Sequence, residues 1–255
     1  MCQLLGMNCN VPTDICFSFE GFCERGGKTA DHQDGWGIAF FEGKACRTFL
    51  DTQPSYKSPI AKLVKEYPIK SLNAIAHIRK ATIGEVNLSN THPFSREAWG
   101  LNWIFAHNGD LWNYNPTITG KYQPVGTSDS EKAFCVILNA LIEKYPDCPP
   151  PVKTLHRELE ELSKPIAEYG TFNFLLSNGH VLAARCSTEL YYIIRQPPFE
   201  VAHLIDKDIS VDFKDLTGKN DRVCIIATAP LTDNESWIKF NKDQTLIFKD
   251  GKPID

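Results

Sequence analysis

The sequence predicts an α+β fold in which antiparallel sheets pack together. Segments with strand character dominate the chain before residue 129, two helical segments follow up to residue 166, and strands return beyond Gly170. Strands and helices grouped in this way, with few βαβ alternations, are typical of α+β proteins. The 255 residues can bury a full-sized core and contain no repeat or low-complexity segment, so we expect one compact domain over residues 1–255.

The first half of the chain begins with a short buried strand over residues 2–7. A helix follows, with Thr13 or Asp14 as its cap and Gly26-Gly27 as its stop. Its apolar face consists of Ile15, Phe19 and Phe22. The other elements expected in this half are a hairpin of strands 35–41 and 44–50 that turns at Glu42-Gly43, a helix over 58–67, and strands over 73–79 and 103–106.

The second half opens with the strongest helical pattern, over residues 129–145. Its apolar residues repeat at helical spacing; they are Phe134, Ile137, Leu138, Leu141 and Ile142. Prolines at 149–151 end this helix, and a second helix is expected over 155–166. The strands expected after it are 172–177, 181–185, 191–195, 223–228 and 244–248.

Composition excludes several classes of function. The net charge is −4, with charges of both signs well mixed, so neither a nucleic-acid surface nor a polybasic membrane patch is expected. No apolar run is long enough to span a bilayer, and the N-terminus lacks the pattern of a signal peptide. We therefore expect a cytoplasmic protein, and the sequence leaves homo-oligomerisation open.

Nine cysteines are an odd number for a disulfide framework, and most are expected to be small buried thiols. Four of them, Cys2, Cys9, Cys16 and Cys23, recur every seven residues. Metal sites favour cysteine pairs two to four residues apart, and no C-x-x-C occurs in the chain. We therefore expect no metal ion.

Cys2 directly follows the initiator Met1, and its small side chain permits removal of that methionine. Removal would leave a thiol and a free α-amine on one residue, with ordinary pKa values of about 8.5 and about 7.7–8.0. An N-terminal amine of this kind can activate the nucleophile that carries it. Judged from this position alone, a buried thiol near the chain end is the more common explanation.

The segment F-A-H-N-G-D at residues 105–110 ends a strand in an Asn-Gly pair. Such a pair is typical of a hairpin turn. Alternatively, the Asn108 amide and the Gly109 N–H could both donate to an oxyanion, since glycine lets a substrate carbonyl approach closely.

Two further segments could read the ends of an amino acid. Arg79 lies at the end of a strand in H-I-R-K-A-T and could grip a carboxylate, although a surface salt bridge is the ordinary explanation for an arginine. Asp129 lies in G-T-S-D-S-E before the long helix. It could accept an ammonium group, or serve only to cap the helix.

Together, Cys2 and the motifs at 77–82, 107–110 and 128–131 resemble, in order, the class II glutamine amidotransferase domain, the N-terminal-nucleophile type. The segments D-G-W-G-I at 34–38 and N-T-H-P at 90–93 also resemble family segments, and the match covers roughly residues 2–185. The chain is similar to a stand-alone bacterial group whose early motif reads H-x-D-G-W-G.

The resemblance implies a four-layer αββα sandwich of two antiparallel sheets, the Ntn-hydrolase fold. It implies hydrolysis of the glutamine γ-carboxamide through a cysteine thioester, without metal or organic cofactor. The residue roles it implies are Cys2 as nucleophile, Asn108 and Gly109 as oxyanion hole, Arg79 and Asp129 as ligands of the substrate α-carboxylate and α-ammonium, and Thr82 and His92 as pocket residues.

This chain also departs from the family pattern. Asp31 stands where many members carry an arginine that supports the nucleophile, and Lys80 stands where an aromatic residue is common. No synthase segment is recognisable, so a separate partner would receive the ammonia. Two alternatives stay open: hydrolysis of other γ-glutamyl amides or peptides, and a non-catalytic amino-acid-binding module of the same fold.

Overall fold

The computed structural model describes residues 2–82 and 85–254. Its helices are α1 (Cys16–Glu24), α2 (Pro59–Glu66), α3 (Asp129–Lys144) and α4 (Val152–Ala167). Its strands are β1 (Gln3–Thr13), β2 (Trp36–Glu42), β3 (Ala45–Asp51), β4 (Ser71–Ile78), β5 (Phe94–Ala98), β6 (Leu101–Asn108), β7 (Asn173–Ser177), β8 (Leu182–Cys186), β9 (Tyr191–Arg195), β10 (Val201–His203), β11 (Ser210–Asp212), β12 (Val223–Ala227), β13 (Ile238–Lys239), β14 (Gln244–Lys249) and β15 (Lys252–Ile254).

Two antiparallel sheets form the centre of the molecule. The first has the strand order β13-β9-β12-β1-β4-β2-β3, and the second has the order β15-β14-β8-β7-β6-β5. Strands β10 and β11 form a small separate pair. Strand β1 lies in the middle of the first sheet, between β12 and β4.

Three apolar cores separate four layers. One core joins α1 and α2 to the first sheet, a second joins α3 and α4 to the second sheet, and the third lies between the two sheets. Alternation along β1 builds two of them: Leu5 and Met7 face the helices, while Leu4 faces the other sheet. The α+β class and the αββα layering are therefore confirmed.

Most predicted elements are present, with two differences that matter. Strand β1 continues to Thr13 instead of ending at residue 7, because Asn8 and Cys9 still pair with neighbouring strands. The hairpin interpretation of Asn108-Gly109 is wrong, because β6 already has β5 and β7 as its two neighbours. The chain leaves the sheet after Asn108 and runs through a loop to α3.

The strand β5 and the short strands β10, β11, β13 and β15 were not predicted. Strand β5 has the sequence F-S-R-E-A, which is polar at its centre because it lies at the edge of the second sheet. Within the part of the chain described by the structure, no helix is long and apolar enough to cross a membrane.

The topology brings several strand ends to one side of the molecule. Because β1 runs antiparallel to β4 and β12, its first residues lie beside the last residues of both: Gln3 pairs with Ile78, and Leu5 with Ala227. The end of β6 lies in the facing sheet. The segments that carry Cys2, Arg79 and Asn108 therefore converge.

Candidate active site

A pocket of about 310 Å³, a volume that includes the open space at its mouth, lies where these strand ends meet the first turn of α3. Its walls bring together most of the residues that the sequence singles out. They are Cys2, Arg79, Lys80, Ala81, Thr82, His92, His107, Gly109, Asp110, Ser128, Asp129 and Ser130.

Cys2 precedes β1 and is half-buried. The Lys80 backbone N–H donates to its Sγ at 3.3 Å, and the Lys80 carbonyl oxygen lies 3.5 Å from the same sulfur. Burial raises the pKa of the Cys2 thiol to about 11, while the Lys80 hydrogen bond and the Arg79 charge act in the opposite direction. The thiol is therefore protonated at neutral pH. The predicted removal of Met1 concerns a residue outside the described part of the chain.

The first residue of β1 lies within hydrogen-bond reach of Arg25, which follows α1 and is buried. Its guanidinium pairs with Asp206 at 2.7 Å, and donates to the Ala229 carbonyl oxygen at 3.0 Å and to the Gln3 side chain at 3.5 Å. Asp31, at the position of the family arginine, pairs with Lys80 at 3.1 Å.

Arg79 follows β4 and is 4% exposed. Its Nη1 donates to the Glu85 carbonyl oxygen at 2.8 Å, and its backbone N–H donates to Gly35 at 2.8 Å. The Asp34 carboxylate accepts the Ala81 N–H at 2.8 Å, so the D-G segment holds the chain on both sides of Lys80. Burial lowers the pKa of Arg79.

Gly109 lines the pocket at a point where no side chain fits. A Cβ there would lie 1.9 Å from the Thr171 carbonyl oxygen and 2.9 Å from Nε2 of His107. Asn108 is fully buried just behind the pocket wall, and its Nδ2 donates to Oγ1 of Thr228 at 3.2 Å. The side chain of Asn173 holds the Asn108 carbonyl oxygen at 3.1 Å.

Asp129 is the first residue of α3, whose cap is Ser128. Its Oδ2 accepts the Leu111 N–H at 2.8 Å, and its Oδ1 accepts the Ser130 N–H at 2.8 Å. Asp129 therefore ties the loop after Gly109 to the helix while it also lines the pocket. At the pocket rim, Thr82 is exposed and its hydroxyl donates to the Asp110 carboxylate.

Three buried histidines lie beneath the pocket. The rings of His77 and His92 are 4.2 Å apart between centroids. Burial lowers the pKa of His77 to about 3, that of His92 well below 6.5, and that of His107 below its usual value. Nε2 of His107 lies 2.9 Å from the Thr171 carbonyl oxygen, which can only accept, so Nε2 carries the proton and Nδ1 accepts from Ser130. The three rings are neutral at neutral pH.

Six of the seven predicted site residues thus share one pocket, and Asn108 lies directly behind it. The sequence interpretation did not single out His107, although it lies inside the H-N-G-D motif, nor Thr228, which no local pattern marks. Among the described residues, no group of three or more His, Cys, Asp and Glu side chains is arranged to hold a metal ion. All nine cysteines are free thiols.

A second pocket of about 710 Å³, a volume that again includes the open space at its mouth, lies at the opposite end of β1, near Thr13. Its walls are mainly apolar, and its buried cation, Arg195, already pairs with Glu235 at 2.6 Å and packs over the ring of Phe213. None of the described residues that line it is a cysteine or a histidine. Of these two pockets, the one at Cys2 has a thiol and histidines among the described residues of its walls.

The family model described as "Glutamine amidotransferases class-II" matches residues 1–255. A protein of Escherichia coli (strain K12), "Putative glutamine amidotransferase YafJ", is 53% identical over 254 residues, which span 100% of both chains. The 2.0 Å crystal structure of a "predicted glutamine amidotransferase" from Pseudomonas aeruginosa PA01 has a TM-score of 0.80 at 41% identity and covers 99% of each chain. A glutamine phosphoribosylpyrophosphate amidotransferase from B. subtilis shares the fold, with a TM-score of 0.61 at 14% identity over 99% of this chain and 48% of its own.

Proposed function

This chain belongs to the class II glutamine amidotransferases, and we propose that it hydrolyses the γ-carboxamide of glutamine through a thioester on Cys2. The observation that carries the proposal is the shared pocket. A thiol, a glycine that admits a carbonyl, a buried guanidinium and a carboxylate line one small volume. These four groups suit the attack, the oxyanion, the α-carboxylate and the α-ammonium of one substrate.

The nucleophilic step begins with a protonated thiol. Because burial raises the pKa of the thiol to about 11, attack at neutral pH needs a base that takes its proton. The α-amine of Cys2, once Met1 has been removed, is such a base, with an ordinary pKa of about 7.7–8.0. The buried histidines, neutral but lowered in pKa, are poor bases for this task.

The tetrahedral intermediate needs hydrogen-bond donors for its oxyanion. The Gly109 N–H and the Asn108 amide are the proposed donors, and one such donor contributes roughly 2.7–4 kcal/mol to transition-state stability. The amine then returns the proton to the leaving nitrogen, ammonia departs, and water cleaves the thioester to give glutamate and the free thiol. All atoms come from glutamine and water.

The charged residues of the pocket would bind the α-amino-acid end of the substrate. Arg79 is the proposed ligand of the α-carboxylate and Asp129 that of the α-ammonium, with Thr82 and His92 as supporting wall residues. We also propose that residues 1–255 act as one domain, that a separate synthase partner takes up the ammonia, and that the protein works in the cytosol, where nine free thiols stay reduced.

The test is chemical labelling combined with turnover. The intact mass of the protein from its natural host should lack Met1, glutamine should yield glutamate, and a glutamine diazoketone should modify Cys2 alone. The Cys2→Ala variant should lose both labelling and turnover, whereas Cys46→Ala, which changes another half-buried thiol, should keep both. Labelling at any other residue, or normal turnover by Cys2→Ala, would contradict the proposal.

A second candidate function is favoured by the polar rim of the pocket. Arg79 and Asp129 would contact only the amino-acid end of a substrate. Polar residues lie at the rim: Lys80 and Asp110 are half-buried, and Thr82 is exposed. Other γ-glutamyl amides or peptides could therefore enter. Glutamate release from a panel of such amides, compared with glutamine by kcat/KM, separates the two functions. Absence of turnover with all of them, together with retained amino-acid binding, would favour a non-catalytic module.

A further inference from the structure

Thr228 bridges the two sheets at the point where the proposed chemistry takes place. It follows the last residue of β12 and is 8% exposed. Its Oγ1 accepts the Leu4 backbone N–H at 2.9 Å and lies 3.2 Å from Nδ2 of Asn108. Its own backbone N–H donates to the Leu4 carbonyl oxygen at 3.2 Å. Thr228 therefore extends the ladder between β12 and β1 by one residue, with its side chain in place of a backbone group.

The strand that Thr228 holds is the one that carries the nucleophile. Leu4 is separated from Cys2 by one residue. Its N–H donates to the Thr228 hydroxyl, and its carbonyl oxygen accepts the Thr228 N–H. The amide that Thr228 contacts is the proposed oxyanion donor in the facing sheet. A single hydroxyl therefore sets the spacing between the nucleophile strand and that amide.

The hydrogen-bond count around Asn108 shows why the hydroxyl matters. Thr228 is the side-chain partner of Asn108 within the described residues, and Oδ1 of Asn108 is buried without a hydrogen bond. Asn108 has two N–H donors, and Thr228 has one proton of its own to donate. A rotation of 180° about the Cβ–Cγ bond of Asn108 exchanges Oδ1 and Nδ2. In that orientation the Thr228 hydroxyl donates to Oδ1, and both N–H groups of the amide stay available. In either setting at least one N–H remains for an oxyanion.

We infer that Thr228 is a positioning residue for amide hydrolysis, which orients the Asn108 amide and fixes its distance from the nucleophile strand. The inference rests on the proposed function of the pocket. Thr228 touches no substrate in this scheme, because it is absent from the pocket wall. Its effect on turnover passes through the orientation of Asn108, while its backbone hydrogen bond to Leu4 holds the nucleophile strand without the hydroxyl.

The test compares three variants of the mature chain with Cys2 exposed. Thr228→Val keeps the shape but removes the hydroxyl, and Thr228→Ser keeps the hydroxyl. Thr245→Val is the matched control, because Thr245 is also buried in a strand and its Oγ1 has no hydrogen-bond partner in the described part of the chain. Measured quantities are kcat and KM for glutamate release, and the rate at which iodoacetamide alkylates Cys2.

We expect Thr228→Val to lower kcat by about 10- to 100-fold, because a displaced oxyanion donor acts mainly on the transition state. KM and the alkylation rate of Cys2 should change by less than about threefold, since neither depends on the oxyanion. Thr228→Ser should recover most of kcat, and the Thr245 variant should match the parent protein. Equal kcat in the two valine variants, or a parallel loss of kcat and alkylation rate, would overturn the positioning role.

A measurement without turnover separates this inference from the proposed function. The side-chain amide signal of Asn108 in a ¹H–¹⁵N spectrum should move in Thr228→Val and stay in place in Thr228→Ser. If the parent protein hydrolyses no γ-glutamyl amide, the proposed function fails and the catalytic consequence fails with it, while this spectrum still decides whether Thr228 orients the amide. An unmoved signal in Thr228→Val would refute the orientation directly.

Discussion

Gly109→Ala is the substitution that most directly tests the proposed oxyanion hole. The added Cβ would lie 1.9 Å from the Thr171 carbonyl oxygen, and real Cβ atoms essentially never approach closer than 3.0 Å. The backbone at Gly109 or at Thr171 must therefore move by about 1.1 Å, since packed interiors resist compression. The hydrogen bond of 2.9 Å between His107 and the Thr171 carbonyl lies in the path of that movement.

The expected losses follow from this displacement. Overpacking costs about 1–3 kcal/mol and a lost hydrogen bond about 1 kcal/mol, so the free energy of unfolding should fall by about 2–4 kcal/mol. Moving an oxyanion donor by this distance should cost about 10²- to 10³-fold in kcat. The assays are glutamate release from glutamine and urea unfolding, both on protein whose intact mass shows that Met1 is absent.

Gly100→Ala provides the matched control. Gly100 has a positive φ of 72°, and a Cβ added there would have no atom within 4 Å. Its strain should cost roughly 1–2 kcal/mol of stability and leave kcat unchanged. If folded Gly109→Ala protein keeps kcat within about threefold of the Gly100→Ala protein, Gly109 is not an oxyanion donor and the proposed geometry is wrong.

Three further predictions concern the surroundings of the site. Burial lowers the pKa of His92 well below 6.5, so the unfolded chain takes up a proton on this ring at higher pH than the folded chain does. His92 therefore makes the free energy of unfolding fall as pH drops below about 6.5, by up to about 1.4 kcal/mol per pH unit. In urea unfolding of His92→Leu, the free energy of unfolding should fall less steeply with decreasing pH, and an unchanged pH dependence would contradict a neutral buried ring. Asp31→Asn breaks the ion pair with Lys80, in which the Asp31 side chain is 80% exposed and the Lys80 side chain 41% exposed. The Tm should therefore stay within about 2 °C of the parent value, and a larger fall would mean that this pair supports the fold. Arg25→Met leaves the mostly buried Asp206 without its cationic partner and should cost about 3–5 kcal/mol in urea unfolding, whereas a loss below 1 kcal/mol would show that the Arg25–Asp206 pair contributes little to the fold.

Local patterns were sufficient for the elements whose signal is contained in consecutive residues. The apolar repeat of α3 predicted its start at Asp129, and the Glu42-Gly43 turn predicted the hairpin of β2 and β3. The resemblance of the ordered motifs to a known family implied which segments meet, and Cys2, Gly109 and Asp129 do line one pocket. Edge strands such as β5 were missed, since half-exposed short strands carry mixed sequence.

Other features depend on contacts between residues far apart in the chain. Asn108 and Thr228 are 120 residues apart, and a lone threonine at a strand end has no distinguishing pattern. The support of the nucleophile strand was equally hidden: the sequence showed Asp31 in place of an arginine, but only the folded chain places Arg25 against Gln3. The Asn-Gly pair was misleading in one of its two interpretations because turn chemistry is local, whereas the neighbours of β6 are set by the whole sheet.

The electrostatics of the pocket resolve an apparent conflict at Cys2. A nucleophile needs a thiolate, yet burial raises the pKa of this thiol to about 11. The nearby charge of Arg79 lowers the pKa of the thiol, and a cation at that position also disfavours protonation of an adjacent amine. The guanidinium therefore favours loss of the thiol proton and keeps the amine in its neutral form, which is the form that can accept that proton.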